Sequence, residues 1–129
     1  MAYDRADWHY GGEYPSDLPV ENGGTHIGFF LAWAIHNDLV GKFHLKESVI
    51  KVKSRKMTGR EFLFKECDEK FWEEDLSDEG NSFASDYYVN GIYFSDYTSV
   101  VPEKLPSMYH FEDNWDNLDR VAKKLRVHT

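Results

Sequence analysis

The chain has 129 residues, 41% of them hydrophobic and 16% aromatic, with 23 acidic against 15 basic side chains and a formal net charge of −8. That length fits one hydrophobic core and leaves little for a second, and so aromatic a composition excludes a disordered chain. So acidic a chain is poorly suited to direct nucleic-acid binding, which rests on Lys and Arg neutralising phosphates.

The single cysteine, Cys67, cannot close an intramolecular disulfide, and a secreted domain of this size usually carries several paired cysteines. The first residues lack the basic start and apolar run of a signal peptide, and no stretch approaches the roughly 18 apolar residues of a membrane span. The expectation is a cytoplasmic single domain over 1–129, without export or membrane insertion.

In chain order, residues 3–19 hold Gly11, Gly12, Pro15 and Pro19, which favour turns and extended chain, together with Trp8, Tyr10 and Tyr14, which favour contact with the body of the protein. Residues 24–40 are the strongest helix. Ile27, Phe30, Leu31, Ala34 and Ile35 recur at helical spacing, Asn22 or Thr25 can cap the start, and Gly41 stands where a C-terminal glycine belongs. Phe29, Trp33 and Leu39 add apolar surface on other sides, which predicts a helix covered around most of its circumference.

Leu45, Val49 and Val52 also keep helical spacing, although residues 49–53 would suit a strand. Thr58 and Glu61 form a capping-box pattern ahead of a short helix over 59–67. Two more helices follow, the first carrying Phe83, Ala84, Tyr87 and Tyr88 and the second Tyr93, Tyr97 and Val101. Asn90 and Gly91 divide them and Pro102 ends the second. Residues 107–111 read as extended, and Asp113 can cap a last helix bearing Trp115, Leu118, Val121, Ala122 and Leu125. The fold class is therefore mainly α: a compact helical domain around one buried helix, with an extended N-terminal segment and at most a small β element.

The residues offer little chemistry. The six histidines include no i, i+4 pair and no metalloprotease motif, and there is no CxxC, so neither a metal nor another cofactor is expected. His26 and His36 lie ten residues apart, about 15 Å along a helix, too far to share an ion. His9 and His26 can meet only through the tertiary fold. Cys67 has Glu66, Asp68 and Glu69 beside it, acids that raise a thiol's pKa, and reads as a core residue. The glycines at 23, 24 and 28 lead into a helix start, yet the run lacks the lysine of a phosphate loop. His26 is the best single candidate for acid or base work, with Glu21, Asp17 or His9 as helpers. No catalytic residue is assigned, and His9, Tyr10, His26 and Trp33 are the candidate lining of a ligand pocket.

The arrangement of charge says more than its total. Residues 42–60 hold seven Lys or Arg and one acid, whereas 66–79 hold eight acids and one base. The acidic run places Phe71 and Trp72 among Glu66, Asp68, Glu69, Glu73, Glu74, Asp75, Asp78 and Glu79. Aromatic anchors ringed by acids suit an interface with a basic protein, although the same two rings could simply fasten a solvated loop to the core.

Three blocks share a pattern: YDRADWHY at 3–10, PSDLP at 15–19, and ENGGTHIG at 21–28 running into Leu31, Ala32 and Trp33. Weaker pieces lie at 58–62, 79–88 and 109–115. Together they resemble a family of small bacterial proteins of unknown function. The resemblance implies a compact bacterial cytosolic domain and carries no activity, cofactor or catalytic residue. Three readings stand: an immunity protein that binds and neutralises a basic toxin, such as a nuclease; a regulatory or scaffold module able to form a homodimer; and a small-ligand binder or enzyme around His26.

Overall fold

The computed structural model describes residues 2–44 and 46–128. The chain opens with strand β1 (Ala2–Arg5) and a short helix α1 (Ala6–Tyr10), then reaches the long helix α2 (Thr25–His36) through a 3-10 turn at Val20–Gly24. Helices α3 (Lys46–Lys53) and α4 (Gly59–Glu66) precede strand β2 (Lys70–Trp72) and a second 3-10 turn at Glu73–Asp75. Helices α5 (Asp78–Tyr87) and α6 (Ile92–Val100), a third 3-10 turn at Met108–His110 and helix α7 (Trp115–Arg126) complete the order. The fold is mainly helical, as the apolar spacing predicts.

Helix α2 is the axis of the core. Every residue from Thr25 to Ile35 is buried, because its apolar side chains point all around the helix rather than along one stripe. Helices α3, α4 and α7 pack on it, and α7 also packs on α6. Helix α4 comes close enough to α2 for backbone to meet backbone at Gly28 and Gly59, where either glycine lacks room for a methyl group. The predicted capping box is present, with Glu61 N–H donating to Thr58 Oγ1 and Thr58 N–H donating to Glu61 Oε1, each at 3.0 Å.

Several boundaries differ from the sequence reading. Helix α2 ends at His36 rather than Val40. Asp38 adopts a left-handed φ of 58°, Asp38 N–H reaches the Ile35 carbonyl at 3.2 Å, and Leu39 N–H reaches the Ala34 carbonyl at 2.8 Å. This is a Schellman stop with an aspartate in the place usually taken by glycine, so Gly41 is free to hydrogen-bond to Asp75 instead. Neither Asn22 nor Thr25 caps the start: Asn22 donates to the Tyr109 carbonyl, and Thr25 Oγ1 accepts from Arg60 at 3.2 Å.

Residues 46–53 form a helix, as their apolar spacing favours over the alternative of a strand, with Ser48 and Val52 turned inward; Leu45 lies outside the described residues. Residues 107–111 contain a 3-10 turn instead of a strand. Asn114, not Asp113, caps α7, accepting from Asn117 N–H at 2.8 Å, because Asp113 is drawn to Arg60 at 3.3 Å. Asn90 and Gly91 divide α5 from α6 as expected, with Gly91 in the left-handed region at φ 79°.

The small sheet was legible only as a possibility. β1 pairs antiparallel with β2, setting Ala2 opposite Trp72, Asp4 opposite Phe71 and Arg5 opposite Lys70, with an irregularity between Ala2 and Asp4. That register turns Asp4 and Phe71 inward.

Candidate functional site

Asp4 is the centre of a buried polar cluster. Its strand carries it into the core at 3% exposure, where α1, the start of α2 and the end of α5 converge. Each carboxylate oxygen takes two donors. Oδ1 accepts from Arg5 N–H and His9 Nε2, both at 2.8 Å, and Oδ2 accepts from the Tyr88 hydroxyl at 2.6 Å and His26 Nε2 at 3.0 Å. Burial works to raise the Asp4 carboxyl, but the hydrogen bonds from His26 and His9 outweigh it and hold the group well below its ordinary range.

An ionised carboxylate only accepts, so both imidazoles present Nε2–H to it. His9 Nδ1 lies 2.7 Å from the Tyr109 hydroxyl. In neutral His26, Nδ1 is an acceptor, and among the described residues it has no partner; neither has the buried hydroxyl of Tyr97. The two imidazoles meet edge to face with ring centres 4.4 Å apart. Burial pushes His26 below its ordinary pKa against the pull of Asp4, so it remains neutral.

Beside this cluster opens a cleft of about 400 Å³, walled mainly by Tyr3, Trp8, Tyr88, Val89 and Phe94, with His9 and Asp4 at its inner side and Glu73 on its lining. Trp8 is 56% exposed and Val89 61% exposed, and the Arg5 guanidinium lies 6.0 Å from the Trp8 ring centre.

The structure thus divides the predicted pocket. His9 and His26 come together, joined by Asp4. Tyr10 points away and donates to Glu69 at 2.8 Å, and Trp33 is buried between Phe30 and Phe83 in the core. The acid that serves His26 is Asp4, not Asp17 or Glu21. Asp17 pairs with His110 at 3.0 Å, and Glu21 is exposed. Asp4, Tyr88, Phe94 and Tyr109 were missed. The only signal for Asp4 was its place in the same block as His9, and nothing local marks the other three.

The acidic segment is divided as well. Asp68, Glu73, Glu74, Asp78 and Glu79 are exposed, while Glu66, Glu69 and Trp72 are half-buried. Phe71 is wholly buried against Tyr3, Phe30 and Tyr88, so it cannot meet a partner as an exposed anchor. Asp75 is buried too, accepting from Trp72 N–H at 2.7 Å and pairing with His44 Nε2 at 2.8 Å. Cys67 belongs to the core as expected, and burial first, then Asp75 and Glu66, push its thiol far up.

Fold and site together define a small helical domain with a histidine-aspartate cluster beneath an aromatic cleft. The chain belongs to the family described as Domain of unknown function (DUF7832), which matches residues 2–111. No curated protein and no solved structure matches significantly. Among the described residues no helix is long and apolar enough to cross a membrane.

Proposed function

We propose that this protein is an immunity protein of the bacterial cytoplasm, which binds a basic toxin domain through the face that carries the Trp8 cleft. The observation behind the reading is that Trp8, 56% exposed, stands on an apolar cleft whose lining includes Glu73, from the middle of the acidic segment. An exposed tryptophan beside a preformed hollow is a favourable interface anchor, and the neighbouring acids would speed encounter with a basic surface. Aromatic walls with a carboxylate nearby suit the side chain of a Lys or Arg on that partner. Trp8 takes the anchoring part that Phe71, buried in the core, cannot.

Co-expression with the product of the neighbouring gene tests this. The expected result is a stable complex and protection of cells from that product. Trp8→Ala should weaken the complex roughly 30-fold, corresponding to about 2 kcal/mol. Absence of both complex and protection would sink the reading.

A small-ligand pocket is the second reading, favoured by His9 on the inner wall of the same cleft, its ring held by the Asp4 carboxylate at Nε2. It predicts a ligand-dependent rise in melting temperature that Trp8→Ala removes without any protein partner. A screen of small aromatic and cationic molecules that leaves the melting temperature unmoved would count against it.

A further inference from the structure

Away from the cleft, three side chains from separate segments converge on one point. His44 comes from the loop after α2, Cys67 from the end of α4, and Asp75 from the turn after β2. One nitrogen, one sulfur and one oxygen of this trio all lie within 4.8 Å of one another. The geometry points to a binding site for a single divalent transition metal of the zinc class, held by His44, Cys67 and Asp75.

The donor set is the first reason. Imidazole, thiolate and carboxylate together suit a borderline ion such as Zn²⁺ and discriminate against Mg²⁺ and Ca²⁺, which prefer oxygen alone. Bonds of about 2.0–2.3 Å in a tetrahedral site place donor atoms roughly 3.3–3.8 Å apart. The three donor atoms lie within 4.8 Å of one another, and the 2.8 Å hydrogen bond between His44 Nε2 and Asp75 Oδ1 would open to the ligand spacing as the ion replaces its proton.

Charge is the second reason. One dication, one thiolate and one carboxylate sum to zero, which suits a site where the His44 and Asp75 side chains are 2% and 4% exposed. On binding, the Cys67 thiol loses its proton to solvent as the sulfur–metal bond forms, and the proton that His44 Nε2 presents to Asp75 shifts to Nδ1 by exchange with solvent, which frees Nε2 to coordinate. One proton is released per ion, and no electron moves. Because that proton goes to solvent, binding is weaker in acid.

The surroundings are the third. Trp72 N–H holds the other Asp75 oxygen at 2.7 Å, and the His44 ring lies 4.8 Å from Phe62 and 4.2 Å from Phe43, which fixes two ligands from behind. The other cluster of candidate ligands, Asp4, His9 and His26, lacks this support. Its carboxylate already takes four donors, and a metal on His26 Nε2 would leave a proton on Nδ1 with no acceptor among the described residues.

Titration of the metal-free, full-length protein with Co²⁺ tests the site. The expected result is a near-ultraviolet thiolate-to-cobalt band with strong tetrahedral visible bands at one equivalent, bleached by one equivalent of Zn²⁺. Zn²⁺ should also slow modification of Cys67 by a thiol reagent at least tenfold, which Mg²⁺ should not. Cys67→Ser should abolish the charge-transfer band, and His44→Ala should weaken Co²⁺ binding at least tenfold. If either variant fails to fold, the wild-type spectrum and thiol protection decide alone. Absence of the band in the wild type, thiol reactivity indifferent to Zn²⁺, or a band that survives in folded Cys67→Ser overturns the proposal.

Discussion

Nε2 of His26 lies 3.0 Å from Oδ2 of Asp4, joining the first buried turn of α2 to strand β1 inside the core. His9 and Tyr88 reach the same carboxylate, so one ionised side chain organises three elements. Asp4→Asn replaces half of that acceptor with a donor that faces other donors. Removing one partner of such a buried pair typically costs about 3–5 kcal/mol, and a urea midpoint should fall accordingly. A variant within about 1 kcal/mol of the parent would contradict the central place given to Asp4.

Acid should weaken the protein in two stages of the same sign. His26 is lowered from 6.5 by burial, so below that value the unfolded chain takes up a proton that the native chain does not. Asp4, held below 3.8, adds the same imbalance at lower pH. Stability should therefore be full near neutrality and fall as the solution passes below about pH 6.5. Urea melts at a series of pH values measure this. A free energy flat or rising from neutrality to about pH 5 would show that His26 is not neutral in the fold.

The hydroxyls of Tyr88 and Tyr97 should respond oppositely to removal. Tyr88 donates to Asp4, and Tyr88→Phe should cost about 1–3 kcal/mol. Tyr97 keeps a buried hydroxyl without a partner among the described residues, so Tyr97→Phe should leave thermal stability unchanged or raise it by up to about 1 kcal/mol. Equal losses in the two melting temperatures would argue against the network as drawn.

Gly59→Ala normally helps a helix by about 0.5–1 kcal/mol, and here it should do the reverse. The added methyl would overlap the Gly28 carbonyl at the crossing of α2 and α4. Forced separation of two backbones belongs at the upper end of overpacking, about 3 kcal/mol, and calorimetry reads it directly. A neutral substitution would mean that the helices do not approach as closely as described.

Two aromatic residues should separate stability from binding. Phe71→Ala empties a fully buried position and should cost about 3–5 kcal/mol of folding free energy. Trp8→Ala, at a largely exposed position, should cost less than about 1 kcal/mol while the partner affinity falls. Denaturation of both variants alongside partner binding by Trp8→Ala checks this; a Trp8→Ala variant that loses stability, or keeps full affinity, would expose a wrong assignment of these roles.

What the sequence determined by itself was what depends on neighbours along the chain. The apolar spacing of α2, the capping box of Thr58 and Glu61, the Asn90 and Gly91 break, and the amphipathic face of α7 are all set within a few residues, by helical period and local hydrogen bonding. His26 and His9 were visible as candidates because both stand beside the turn or start of a recognisable segment.

Only the tertiary structure decided where polar groups met. Asp4, His26, Tyr88 and Tyr109 are brought together by one strand pairing and by helices whose order in space no local pattern encodes, and the same pairing took Phe71 inside while leaving Trp8 at the surface. His44, Cys67 and Asp75 likewise converge from three segments. Burial is a property of the packed whole, so a run of acids that reads as one charged segment splits, once the chain closes on itself, into a buried Asp75 that pairs with His44 and caps a turn, half-buried Glu66 and Glu69, and a solvated rim.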